Sequence, residues 1–155
     1  MNRCQRLIIV AAGFMIGAGV VGRAQQSPSQ TALDETVRTF CSAWSEPDID
    51  RRRRILETVL TPDFTFTDPN GHTPSREALA AERVVVFQQK GPGRRIVPTS
   101  HVDSHNGLLR FTWSILSPEG KSTTEGTGFV ELAPDGKMKR FVGFFGPPKP
   151  LAGTR

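Results

Sequence analysis

Between Asn106 and Phe145 the chain alternates and turns in a pattern that an antiparallel sheet accommodates and a helix does not. Over Leu108–Leu116, Leu109, Phe111, Trp113 and Ile115 share one face while Arg110, Thr112 and Ser114 share the other, the period-two signature of a half-buried strand. Asn106-Gly107 precedes it, and both residue types accept the positive φ of a type I′ hairpin turn. Pro118-Glu119-Gly120 and Pro134-Asp135-Gly136 repeat the punctuation, with Pro presetting φ and Gly free to turn left-handed. With the extended run Arg94–His105 in front, this predicts a four-stranded meander.

A length of 155 residues suits one domain. Its first residues read differently: Arg3 and Arg6 precede an apolar run from Leu7 to Val21, and Gly22-Arg23-Ala24 ends in the small residues of a signal-peptidase site. Residues 1–24 are therefore expected to be a secretory signal, and the mature protein to be secreted or periplasmic. The competing reading is a retained anchor, for which the run is slightly short of the roughly 17–25 apolar residues that span a bilayer. Loss of Arg3, Arg6 and Arg23 lowers the formal charge from +5 to +2, 17 basic against 15 acidic residues, and no basic stripe argues for nucleic acid. Cys41 alone survives cleavage, so no internal disulfide is expected, and its apolar helical setting suits a packed, inert thiol.

Residues 25–31 are polar and predict a short mobile leader. Thr31, with Asp34 three residues on, is the expected cap of a helix carrying Leu33, Val37, Phe40, Cys41 and Trp44 at helical spacing. Pro47 breaks it, and Asp48 caps a second helix to about Leu60, whose stripe is Ile55, Leu56, Val59 and Leu60. Arg51–Arg54 open that helix; successive residues point about 100° apart, so the four spray around the axis and are expected to be solvated. Asp63–Thr67 alternates as a short strand closed by Asp68-Pro69-Asn70-Gly71, a turn. Ser75 caps a third helix to about Gln89, stopped by Gly91-Pro92-Gly93, although Val84-Val85-Val86-Phe87 has strand-like propensity. Residues 147–155 form a Pro-rich tail.

This order, together with Thr61-Pro-Asp-Phe-Thr-Phe-Thr-Asp-Pro69, Ser75-Arg-Glu-Ala-Leu79, Ser100-His-Val-Asp-Ser-His105, Leu109-Arg-Phe-Thr-Trp113, Glu125-Gly-Thr-Gly-Phe-Val-Glu-Leu132 and Asp135-Gly-Lys-Met-Lys-Arg-Phe-Val-Gly-Phe-Phe145, resembles the SnoaL-like, polyketide cyclase-like branch of the nuclear transport factor 2-like superfamily. The resemblance covers residues 32–146. It implies an α+β cone in which three N-terminal helices pack on a strongly bent antiparallel sheet enclosing a pocket. It leaves function open, because that fold serves cyclases, isomerases, dehydratases and pure binders. Proton transfer beside a carbonyl needs a carboxylate or imidazole in a dry pocket and a donor for the enolate oxygen. Two departures bear on it: the chain has no Tyr, and where many relatives show Gly-x-Asp it reads Gly126-Thr127-Gly128, without the acid at 128.

Asp68 is the best remaining acid, although Asp before Pro is also a turn residue. His101 is the rival proton carrier and Arg110 a candidate charge stabiliser. His101, Asp103 and His105 share one face of an extended run, but at about 6.5–7 Å spacing along a strand they read as solvent-facing polar positions, not a metal site. Trp113, Phe129 and Phe144 are the candidate ligand-binding aromatics, with packing as the alternative. Phe141 and Phe145 fall on one face of the last strand and Phe144 on the other, so a homodimer is expected to cover one of them. No nucleotide, flavin or phosphate loop appears, and no cofactor or metal is implied. The expected function is binding of a small hydrophobic molecule or partner in the cone; the alternative is a cofactor-free lyase or isomerase acting on a small carbonyl compound.

Overall fold

The computed structural model describes residues 28–153; the expected signal and its cleavage site lie outside the described residues. Helix α1 spans Gln30–Ser42 and starts inside the stretch expected to be a leader. Its cap is Ser29, whose Oγ accepts from the Ala32 N–H at 3.3 Å, not Thr31. Asp34 is occupied elsewhere. It accepts from the Val102 N–H at 2.8 Å, His101 Nδ1 at 2.7 Å and Gln30 Nε2 at 3.0 Å, tying α1 to the segment before the meander. These donors, the Val102 amide foremost, hold its pKa down at about 2.

A 3-10 turn, Ala43–Ser45, leads to α2, Ile49–Val59, capped by Asp48 as expected. The third helix covers residues 76–90 from a Ser75 cap; it is α over Arg76–Ala78, π over Leu79–Arg83 and α again over Val84–Lys90. Helix thus wins over the strand propensity of 84–87, because Val84 is buried and Phe87 packs on the core at helical spacing. No described helix is long and apolar enough to cross a membrane.

Seven strands form one sheet: β1 (Leu60–Asp68), β2 (Gly71–Thr73), β3 (Arg95–Pro98), β4 (Asp103–His105), β5 (Leu108–Leu116), β6 (Ser122–Leu132) and β7 (Met138–Phe145). Their order is β2-β1-β7-β6-β5-β3, with β4 also on β5. The meander β5-β6-β7 and the Asn106-Gly107 hairpin, both residues at positive φ, stand as expected.

Two features differ. First, β1 runs parallel to β7, with Phe66 opposite Phe141, so the sheet is mixed and not wholly antiparallel. Pro62 falls in the irregular part of that pairing, between Leu60 and Thr65, where a missing N–H does least damage. Second, the single extended run over Arg94–His105 is two strands. Pro98 pairs with Trp113 and Asp103 with Arg110, so four residues oppose two, and Val102 turns its side chain into the core while Asp34 takes its N–H. The core lies between the helices and the inner sheet face, where Phe66 and Phe141 stack at 4.9 Å and Phe40 and Phe111 flank Phe141 at 5.5 and 6.2 Å.

Candidate functional site

The inward faces of β1, β5, β6 and β7, closed over by α1 and the third helix, leave a cavity of about 250 Å³. Aromatic rings make its floor because the sheet beneath them is glycine. A Cβ on Gly128 would lie 2.6 Å from the Phe141 ring, and one on Gly126 would lie 2.2 Å from the Trp113 ring and 2.3 Å from the Phe144 carbonyl oxygen. The volume where a side chain at 128 would begin is therefore occupied by Phe141.

Asp68 ends β1, where it stands both in the turn and on the cavity wall. Its Oδ1 accepts from the Asn70 N–H at 2.8 Å, which shapes the turn, and the same carboxylate borders the cavity in an ion pair with Arg83. Arg83 is the last residue of the π segment; its guanidinium also lies 5.7 Å from the Phe66 ring centre and donates to the Asn70 carbonyl at 3.4 Å. At the far end of the third helix, Arg94 folds back over Gly91. Its Nη2 donates to the Phe87 carbonyl at 2.6 Å, its Nε to the Gly91 carbonyl at 3.2 Å, and its guanidinium stacks 4.6 Å from the Phe87 ring centre. A Cβ at Gly91 would come within 2.1 Å of the Arg94 Nε, so glycine makes that fold-back possible.

Trp113 lines the cavity with Phe145, edge to face at 5.4 Å, and Trp44 joins it from the turn after α1. Cys41 also borders it, buried, with its thiol pKa pushed up to about 12 by desolvation. The other sequence candidates lie elsewhere. His101 is 84% exposed on the Asp34 clamp, and Arg110 pairs with Asp103 at 2.8 Å on the outer sheet face. Phe129 and Phe144 meet edge to face at 5.9 Å on that same outer face. Among the described residues no group of three His, Cys, Asp or Glu side chains gathers as a metal site.

The lining residues that sequence reasoning passed over are chiefly Arg83, Lys90, Arg94 and Trp44. Trp44 was legible as one turn beyond Phe40 on the buried stripe of α1. Arg83 carries no such signal, since a π segment shifts the helical phase by one residue and nothing in the local residues announces it.

The SnoaL-like domain family matches the chain over residues 37–141. Among solved structures, a provisionally assigned isomerase of the SnoaL-like family from Agrobacterium tumefaciens is 30% identical with a TM-score of 0.69, over 76% of this chain and 99% of its own. A nuclear transport factor 2-like superfamily protein from Salmonella enterica (11% identical, TM-score 0.60, 81% and 96% covered) shares the fold. So does a provisionally assigned SnoaL-like polyketide cyclase from Jannaschia (22% identical, TM-score 0.57, 77% and 89% covered). No curated protein matches the chain.

Proposed function

The chain belongs to the SnoaL-like domain family, and from that premise we propose that it binds a small, largely hydrophobic molecule in its cone without transforming it. The supporting observation is the state of Asp68: the only acid on the cavity wall among the described residues already accepts from Arg83 and from the Asn70 amide. That carboxylate is tied both into the turn after β1 and into an ion pair on the wall. With Phe141 over Gly128, the floor is aromatic, and the other charged residues of the wall are the cations Arg83, Lys90 and Arg94. An apolar cavity of about 150 Å³ holds benzene, so the present volume suits one ring and a short chain.

Both tryptophans of the chain, Trp44 and Trp113, border the cavity, and their emission reports its occupancy. Benzylacetone, a ring with a short ketone chain, is expected to change that emission saturably and to be recovered unaltered. An emission unchanged up to the solubility limit would count against binding. The cofactor-free lyase or isomerase reading draws support from the same acid and from the isomerase assignment of the Agrobacterium relative. It is the one to adopt if a bound carbonyl compound is turned over and Asp68→Asn stops turnover while binding persists.

Two further parts of the proposal concern where and with what the domain works. Export rests on residues 1–24, and N-terminal sequencing of native protein is expected to begin at or near Gln25; Met1 intact in a membrane fraction would speak for an anchor. The proposed partner is a second copy. Leu108, Phe129 and Phe144 stand 47%, 44% and 56% exposed on the outer sheet face, among Asp103, Arg110, Glu131 and Arg140. An apolar centre edged by both signs of charge complements itself across a two-fold axis. Light scattering is expected to give a dimer that Phe129→Ser with Phe144→Ser converts to monomer, whereas a wild-type monomer at high micromolar concentration would remove the claim.

A further inference from the structure

The charges around the cavity do not balance. Of the residues that line it, Arg83, Lys90 and Arg94 are cationic and Asp68 alone is acidic, and the Asp68–Arg83 pair leaves two cations over. Neither has an ion-pair partner among the described residues. Arg94 is nonetheless held in place by two backbone carbonyls and the Phe87 ring, with its Nη1 uncommitted, while Lys90 is solvent-exposed at the rim. A second imbalance is independent of charge. Of the three buried side-chain polar atoms without a partner among the described residues, two are the indole Nε1 atoms of the lining residues Trp44 and Trp113. An indole N–H only donates, and buried donors are rarely left without an acceptor.

Resting on the binding reading above, we propose that the natural ligand is a small amphipathic anion: an aromatic or branched apolar skeleton ending in a carboxylate. The skeleton lies on Phe66, Trp113 and Phe141, and the carboxylate faces Arg94 and Lys90. The fold-back over Gly91 makes this more than a general surface charge, because Arg94 loses little rotamer freedom on engaging the anion. Asp68 does not oppose it, since its charge is already met by Arg83.

Calorimetry with three compounds of one skeleton tests this: hydrocinnamate, its amide, and the ketone benzylacetone. Hydrocinnamate is expected to bind wild type about tenfold or more tightly than either neutral compound, the usual worth of hydrogen bonds to a charged group, and to weaken as salt rises. In Lys90→Gln with Arg94→Gln that preference is expected to fall to about twofold, whereas Arg38→Gln on the exposed face of α1 leaves it intact. Thermal melting of each variant establishes that it is folded. Neutral compounds binding as tightly as the acid, or a preference that survives loss of both cations, overturns the anion inference and leaves hydrophobic binding standing. If none of the three binds, both readings fall.

Discussion

Arg52→Met is expected to lower stability by about 3 kcal/mol, while Arg54→Ala, two positions on, stays within about 0.5 kcal/mol of wild type. Arg52 is 1% exposed, and its guanidinium donates to the carbonyls of Glu46 at 2.8 and 3.0 Å, Pro47 at 3.2 Å and Ala80 at 2.6 Å, and to Gln88 Oε1 at 3.1 Å. It joins the turn before α2 to the π segment of the third helix. Burial depresses its pKa, yet an arginine keeps its proton, so the charge is carried inside and offset by these acceptors and by the nearby Glu46 and Asp48 carboxylates. Exchanging a buried ion pair for apolar residues is often harmless, because both charges leave together. Here the acceptors are mostly backbone and remain. Glu46 keeps a donor in the Gln88 side-chain amide at 3.0 Å, but Ala80 and Pro47 lose the guanidinium, and a buried carbonyl left without a donor costs about 1–3 kcal/mol. Relief of desolvation offsets part of that. Methionine retains most of the side-chain volume, so chemical denaturation of the two variants separates the guanidinium from packing. Equal midpoints would mean that the buried charge adds nothing.

That arginine also shows what the sequence discloses and what it hides. The helical spray of Arg51–Arg54 correctly denies a four-arginine patch, since Arg51 and Arg54 are exposed, but the expectation that all four are solvated fails at Arg52, which is buried. It also implies that one of the four faces inward. The buried residues of α2 are Arg52, Leu56 and Val59, so position 52 extends the apolar stripe back by one turn. The apolar stripe is legible in the sequence; its continuation through a charged residue has no apolar signal. The meander was the most legible part, because period-two alternation and Asn-Gly or Pro-x-Gly turns are local signals. Pairing of β1 with β7 joins residues about 75 positions apart, and no local pattern specifies its direction.

The site was legible only where it coincides with such signals. Trp113 sits inward by strand alternation and Asp68 by its place at a strand end, and both border the cavity. Alternation places His101 on an unbroken strand, but the two extra residues before β4 change its setting, and Asp34 takes its ring nitrogen. Arg110 and Phe129 stand opposite one another on β5 and β6, so whichever face took one took both. The cationic rim comes from a π segment and from an arginine folded over a glycine, and neither has a periodic signature.

Gly128→Asp, which restores the acid that the family resemblance leads one to seek at this position, is expected to cost about 3–5 kcal/mol and not to create a proton carrier. Its Cβ would sit 2.6 Å from the Phe141 Cε2 and 3.2 Å from the Phe111 Cζ. Phe141 has little room to retreat, being stacked on Phe66 at 4.9 Å with Phe40 at 5.5 Å. Overpacking of this kind costs roughly 1–3 kcal/mol, and a carboxyl among phenyl rings without a donor adds a comparable amount. A smaller neighbour relieves the first part. Gly128→Asp combined with Phe141→Leu is therefore expected to be at least about 1 kcal/mol more stable than the two single losses added together. Urea denaturation of the four proteins measures that coupling. Strict additivity would mean that ring and carboxyl do not compete for one space, and that the glycine has some cause other than the aromatic floor. Coupling of the expected sign would make Phe141 the physical reason that position 128 has no acid, and would tie the apolar character of the cavity to one exchange of a side chain for a ring.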